Sequence, residues 1–220
     1  MSQAFMLVWQ STLQTLVMVF FSAIFSILIG LPLGVLLHAT GKEEQGGVIP
    51  HPVLNNVLSR IVNILRSFPF IILMIVLMPL SRLIIGTSIG TTATIIPLSI
   101  AAAPFVARVI ESALKEVDPG VVQAARAMGS TNWQIIWKVL LPEAKPSLVS
   151  GITLTVINLI GYSAMAGAIG GGGLGDLAIR YGYQRFRPGI MAAAVIVIIL
   201  MVELIQVIGN KIAAKLIAKR

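Results

Sequence analysis

Cysteine is absent from this 220-residue chain, so neither a disulfide framework nor thiolate metal ligation is open to it. Charge is scarce too. Asp, Glu, Lys and Arg make up 11% of the residues, against about 25% in a soluble domain. Aromatic residues reach only 6% and do not interleave with the basic ones, so the formal charge of +8 does not read as a nucleic-acid surface. Basic flanks of membrane helices account for it better. Residues 1–41 contain no Lys or Arg. That denies the N-terminus the basic region of a signal peptide, and its apolar stretch outruns one; a retained first helix is expected. No internal repeat is visible. The P-loop pattern is missing, since Gly41-Lys42 is followed by Glu43. The two histidines, His38 and His51, stand alone at loop edges without metal-ligand spacing. No catalytic residue, metal site or cofactor is therefore expected in this chain.

What the chain has is apolar length. It is 57% hydrophobic, with a mean hydropathy of +0.95. A spanning helix needs about 20 mostly apolar residues. Five such stretches are expected, at 13–37, 57–80, 89–113, 148–169 and 190–208. Pro69 falls inside the second and is expected to bend it, and Pro97 and Pro104 lie in the third. Spanning helices tolerate proline because neighbours re-satisfy the freed backbone groups. The fold class expected is all-α integral membrane, one transmembrane domain over 1–220, with a polar loop at about 114–146 and a basic tail.

Orientation follows from the cations. With the N-terminus outside, the inner segments hold Lys42, Arg60, Arg66, Arg108, Lys115, Arg126, Lys138, Lys145, Lys211, Lys215, Lys219 and Arg220. The outer loops hold Arg82, Arg180, Arg185 and Arg187. Twelve against four, out of 16, puts the long polar loop in the cytoplasm. Five spans cannot form two equal inverted halves. Symmetry would come from pairing with a second copy.

The polar loop contains DPGVVQAARAMGSTNWQIIWKVLLPEA, 118–144. Asp118 is a good N-cap and Pro119 suits the first helical position. Gly129 suits the left-handed residue that ends a helix. Thr131 and Gln134 have capping-box spacing for a second short helix, which Pro142 is expected to end. The result is two short helices joined at a glycine elbow. Gly129 permits the turn, and Ala124, Ala125 and Ala127 give the first helix a small-residue surface.

This segment resembles the cytoplasmic loop of importer permeases of the ATP-binding-cassette class, type I fold. Their pattern is E-A-A, three residues, G, nine residues, I, any residue, L-P. Here Gln123, Ala124 and Ala125 fill the triplet, Gly129 follows, and Val139, Leu140, Leu141 and Pro142 close the pattern. Gln123 stands for the glutamate and Val139 for the isoleucine. The resemblance implies that Gln123, Ala124, Ala125, Met128, Gly129, Leu141 and Pro142 couple to a separate ATPase, which carries the ATP and magnesium.

A second run, LIGYSAMAGAIGGGGLGDLAIRYGY at 159–183, is similar to methionine-uptake permeases, as are LRSFPFI at 65–71 and GTSIG at 86–90. That resemblance covers nearly the whole chain. It implies a homodimer in the bacterial inner membrane, bound to two ATPase subunits and fed by a periplasmic or lipoprotein methionine-binding protein. The same importer class serving another solute is the alternative reading. An ion-coupled carrier and a non-transporting scaffold stand further off.

Three features remain open. Asn158, Tyr162 and Met165, with the neighbouring Ser163, mark a face of the fourth span that either lines a pathway and gate or packs on a neighbouring helix; Gly161, Ala164 and Ala168 line another face. Gly172, Gly173 and Gly175 belong to a flexible turn, either a docking point for the binding protein or a plain helix connection. Glu203, within the fifth span, is either functional or a snorkelling acid. Arg108, Glu111 and Lys115 have i, i+3 and i+4 spacing and read as a solvated helix end.

Overall fold

The computed structural model describes residues 2–218; Lys219 and Arg220 of the expected basic tail lie outside them. Among the described residues there are helices and turns and no strand. The elements are α1 (Ser2–Ala39), α2 (Pro52–Ser67), α3 (Phe70–Ile85), α4 (Thr91–Lys115), α5 (Pro119–Ala127), α6 (Asn132–Gln134), α7 (Leu141–Glu143), α8 (Lys145–Gly167), α9 (Gly173–Asp176) and α10 (Pro188–Ile217). Two π-helical segments, Ile135–Leu140 and Leu177–Tyr183, follow α6 and α9.

Among the described residues four helices are long and apolar enough to span a membrane, namely α1, α4, α8 and α10. The second expected span, at 57–80, is a broken one. Instead of a single bent helix, α2 and α3 meet at 102°. The cause is local. The residue before a proline is pushed out of the α region, and Pro69 has no N–H to continue the ladder. It caps α3 instead, its carbonyl accepting from the Leu73 N–H at 3.1 Å. The tail also differs from expectation, because α10 continues through Lys211 and Lys215 to Ile217.

The chain divides into two compact units. One comprises 2–26, Phe68–Ala102 and Leu154–Val207. Its core gathers Met18, Leu98, Leu159 and Ile160, with a second cluster of Leu174, Leu177, Ile190 and Ala194. The other comprises Ile27–Ser67, Ala103–Thr153 and 208–218. Val106, Ile110, Leu114, Val122, Ile135 and Leu140 fill its core. Small residues set the helix spacing there. A Cβ on Gly30 would lie 2.6 Å from Val106, and one on Gly34 would lie 2.6 Å from the Ala107 carbonyl. Close backbone approach through small residues is how helices associate where lipid removes the hydrophobic drive.

The outside is as apolar as the inside. Phe20, Leu28, Leu83 and Leu200 all stand exposed. Only 11% of the most apolar window of α10 is buried. A helix apolar all round yet uncovered fits a hydrocarbon solvent, not water.

Candidate coupling elbow and translocation face

The elbow forms as its sequence dictates. The Asp118 carboxylate accepts from the Gly120 N–H at 2.8 Å, and Pro119 takes the first turn of α5. Gly129, at φ +81°, turns the chain out of the helix. Its N–H donates to the Arg126 carbonyl at 2.9 Å, and the Ser130 N–H to the Ala125 carbonyl at 3.1 Å. Thr131 and Gln134 then form a reciprocal capping box. The Gln134 N–H donates to the Thr131 hydroxyl at 3.3 Å, and the Thr131 N–H to the Gln134 side-chain oxygen at 2.9 Å.

Gln123, Ala124, Ala127 and Gly129 are exposed, and Met128 is 79% exposed. Ala125 is not part of that face. It is 3% exposed and packs with Val122, Ile135 and Leu140, because α5 is amphipathic and turns this position inward. Its small size serves packing within the chain. Leu141 and Pro142 are half-buried. Pro142 does not end the second helix. It lies inside α7, and the chain runs helically through the π segment into it. Proline near the start of a helical turn leaves no donor wanting.

Arg126 is the residue that sequence reasoning missed. It pairs with the Glu43 carboxylate and donates to the carbonyls of Gly47 at 3.2 Å and Val48 at 2.6 Å. Loop 43–48 is thereby fastened to α5. The partners lie 83 residues apart, so no spacing announces them. Gln123, Glu43 and Glu44 line one cavity of about 460 Å³ beside this clamp.

Two further expectations are corrected here. Arg108, Glu111 and Lys115 are not a solvated helix end. Glu111 is buried, receiving Arg108 at 2.6 Å and Lys115 at 2.8 Å. Arg108 also donates to the Ser59 hydroxyl at 2.5 Å and to Asn63 at 2.9 Å. Arg108 ties α2 to α4, and Glu111 holds Arg108 and Lys115 because a buried carboxylate requires partners. His38 is not at a loop edge either. It sits buried in the last turn of α1.

On α8 the expected face divides. Met165 is 47% exposed and Asn158 half-buried. Tyr162 stacks on Phe70, ring centroids 4.3 Å apart and planes 7° from parallel. Ser163 is buried and donates back to the Ile160 carbonyl at 2.8 Å, so it does not belong to an open face. The open stripe is Leu154, Gly161 and Met165, and Ala168 is exposed in the turn that follows α8. Gly161 thus shares Met165's face, since i and i+4 fall on one side of a helix.

The glycine run is a packed element rather than a flexible turn. Gly173 and Gly175 are buried, and Gly172 is half-buried. A Cβ on Gly175 would lie 2.2 Å from the Ala164 carbonyl oxygen, and one on Gly173 would lie 2.7 Å from the Thr15 hydroxyl. The Gly173 N–H donates to Gln14 and the Leu174 N–H to Thr15, both at 2.9 Å. The glycines let α9 seat against α8 and α1. The exposed large apolar residues at this end are Tyr183 and Phe186, beside the exposed Arg180, Arg185 and Arg187. Glu203 is exposed on α10.

Fold and elbow together define a class: a polytopic α-helical membrane protein that presents a rigid, exposed helical elbow. Its residues 30–218 match the family described as binding-protein-dependent transport system inner membrane component, and the chain belongs to that family. Among its relatives is the probable D-methionine transport system permease protein MetI of Vibrio cholerae, 52% identical over 205 residues, covering 93% of this chain and 90% of that one. The corresponding Pasteurella multocida protein is 52% identical over 209 residues and 95% of each chain. A chain of the inward-facing MetNI methionine ABC transporter matches with TM-score 0.94 and 45% identity, over 98% of this chain and 99% of that one. A solved amino acid ABC transporter shares the fold, with TM-score 0.73 at 21% identity.

Proposed function

We propose that this chain is the permease subunit of a bacterial ATP-binding-cassette importer for methionine. The observation that carries the reading is similarity along nearly the whole chain to methionine permeases, 52% over 93% of its length. In this reading two copies form the pathway, two separate ATPase subunits hold the ATP and magnesium, and a binding protein delivers the amino acid. The N-terminus and the glycine run face outward, and the elbow faces the cytoplasm.

The elbow's chemistry suits the coupling role. A lever must hold its shape when pushed, and α5 is capped at both ends and clamped by Arg126. Gln123, Ala124, Met128 and Gly129 give the ATPase an exposed surface. Leu141 and Pro142 stiffen the return to α8, and Ala125 anchors α5 from within. ATP-driven closure of the ATPases moves this lever, and the two copies rock between inward and outward openings. The Met165 stripe of α8, with Asn158 at its edge, faces the second copy, and Met165 is the adaptable gate plug. Phe70 holds the Tyr162 ring at the margin of that stripe.

The test is uptake of radiolabelled methionine into proteoliposomes containing the ATPase and binding protein. Wild type is compared with Gly129→Asp. ATP-dependent uptake that the variant abolishes is expected. Stimulation of the ATPase by a binding protein loaded with another solute, without methionine uptake, would discard the substrate. Uptake on an ion gradient without ATP would discard the mechanism.

A further inference from the structure

The unit that carries the elbow also holds an apolar groove. It encloses about 430 Å³, within the range of about 300–1,000 Å³ common for ligand pockets. One wall is the last turns of α1, with Leu31, Val35, Leu36 and Ala39; the other carries Trp133, Trp137 and Leu141. No charged side chain lines it. Water gains nothing there, since an apolar cavity stays dry unless an apolar ligand fills it.

Three observations indicate the occupant. The α1 wall belongs to a helix apolar enough to span the membrane, so the groove adjoins lipid. Trp133 and Trp137 are exposed, with ring centroids 5.4 Å apart, and tryptophan favours the level of lipid headgroups. Lys138, next to Trp137 in the π segment, is exposed. We infer that this groove binds one acyl chain of an anionic phospholipid, with the Trp pair at its mouth and Lys138 at the headgroup. The lipid then bridges α1 and the segment that returns from the elbow to α8.

Fluorescence tests this in the full chain in detergent, with Trp9→Phe so that Trp133 and Trp137 report alone. Phosphatidylglycerol or phosphatidylcholine with brominated chains is titrated in. Saturable quenching is expected, with phosphatidylglycerol saturating at about fivefold lower concentration, the effect of one lysine near an anionic headgroup. Val35→Phe, which fills the groove, should abolish the saturable phase with helicity unchanged. Lys138→Gln should remove the headgroup preference and keep the quenching, which guards against a misfolded groove variant. Quenching that rises without saturation, or survives Val35→Phe, overturns the site. Equal response to both lipids in the wild type overturns the anionic assignment. Loss of a retained phospholipid, seen by native mass spectrometry when the ATPase is added, would give the groove to a protein partner instead.

Discussion

The elbow at Gly129 and the glycine run at 170–175 both break a helical path, yet a methyl group added to each meets opposite surroundings. At Gly129 nothing lies within 4 Å of a new Cβ, and the residue is exposed. At Gly175 the nearest atom is a backbone oxygen at 2.2 Å, and at Gly167 a backbone nitrogen, also at 2.2 Å. Glycine serves conformation in the first place, where φ is +81°. In the second, Gly170, Gly172 and Gly173 also hold left-handed backbone, at φ +86°, +78° and +79°, but Gly175 serves contact, because two backbones meet where its side chain would stand. An exposed turn can present a surface to a partner, whereas a packed one fixes helices against each other. The first region is thus open to a partner, and the second holds helices of the chain together.

Substitutions test that division. The largest effect is expected from Gly175→Ala. Its methyl group meets the Ala164 carbonyl, which cannot yield as a flexible side chain would. The loss should reach or exceed the top of the about 1–3 kcal/mol that overpacking costs, read as a lower unfolding midpoint in detergent. A wild-type midpoint would mean that α9 does not seat on α8. A smaller effect is expected from Gly129→Ala, which meets no clash and bears only the left-handed backbone, about 1–2 kcal/mol. Gly129→Asn should recover most of it, because asparagine enters that region readily. If Ala and Asn behave alike in the unfolding midpoint, the elbow does not need the left-handed residue. The smallest is Thr131→Ala, about 1 kcal/mol for a lost N-cap. It should appear as faster hydrogen exchange at the Gln134 amide, with no change around α9.

Much of the elbow was legible because its causes are local. Asp118 and Pro119, Gly129, and Thr131 with Gln134 each act within a few residues, and each does in the structure what its chemistry implies. The apolar runs were legible for a similar reason, since a helix that meets lipid declares itself by length. The break at Pro69 was half legible: proline announced a bend but not the 102° at which α2 and α3 meet. The clamp from Arg126 to Glu43 was invisible, as was the buried Glu111 network that joins α2 to α4. Glycine-rich composition pointed equally to a loose turn and to a tight seat.

The sequence by itself determined the membrane class, the number and rough place of the apolar stretches, and the caps and turn of the elbow. These depend on each residue's own solvent preference and on neighbours within one helical turn. Only the tertiary structure decided that Ala125 faces inward, that Ser163 is closed off, that Gly173 and Gly175 are packed, and that Glu203 is exposed. Burial is a property of what lies on the other side of a helix, and that partner comes from tens or hundreds of residues away, as Gln14 does for Gly173.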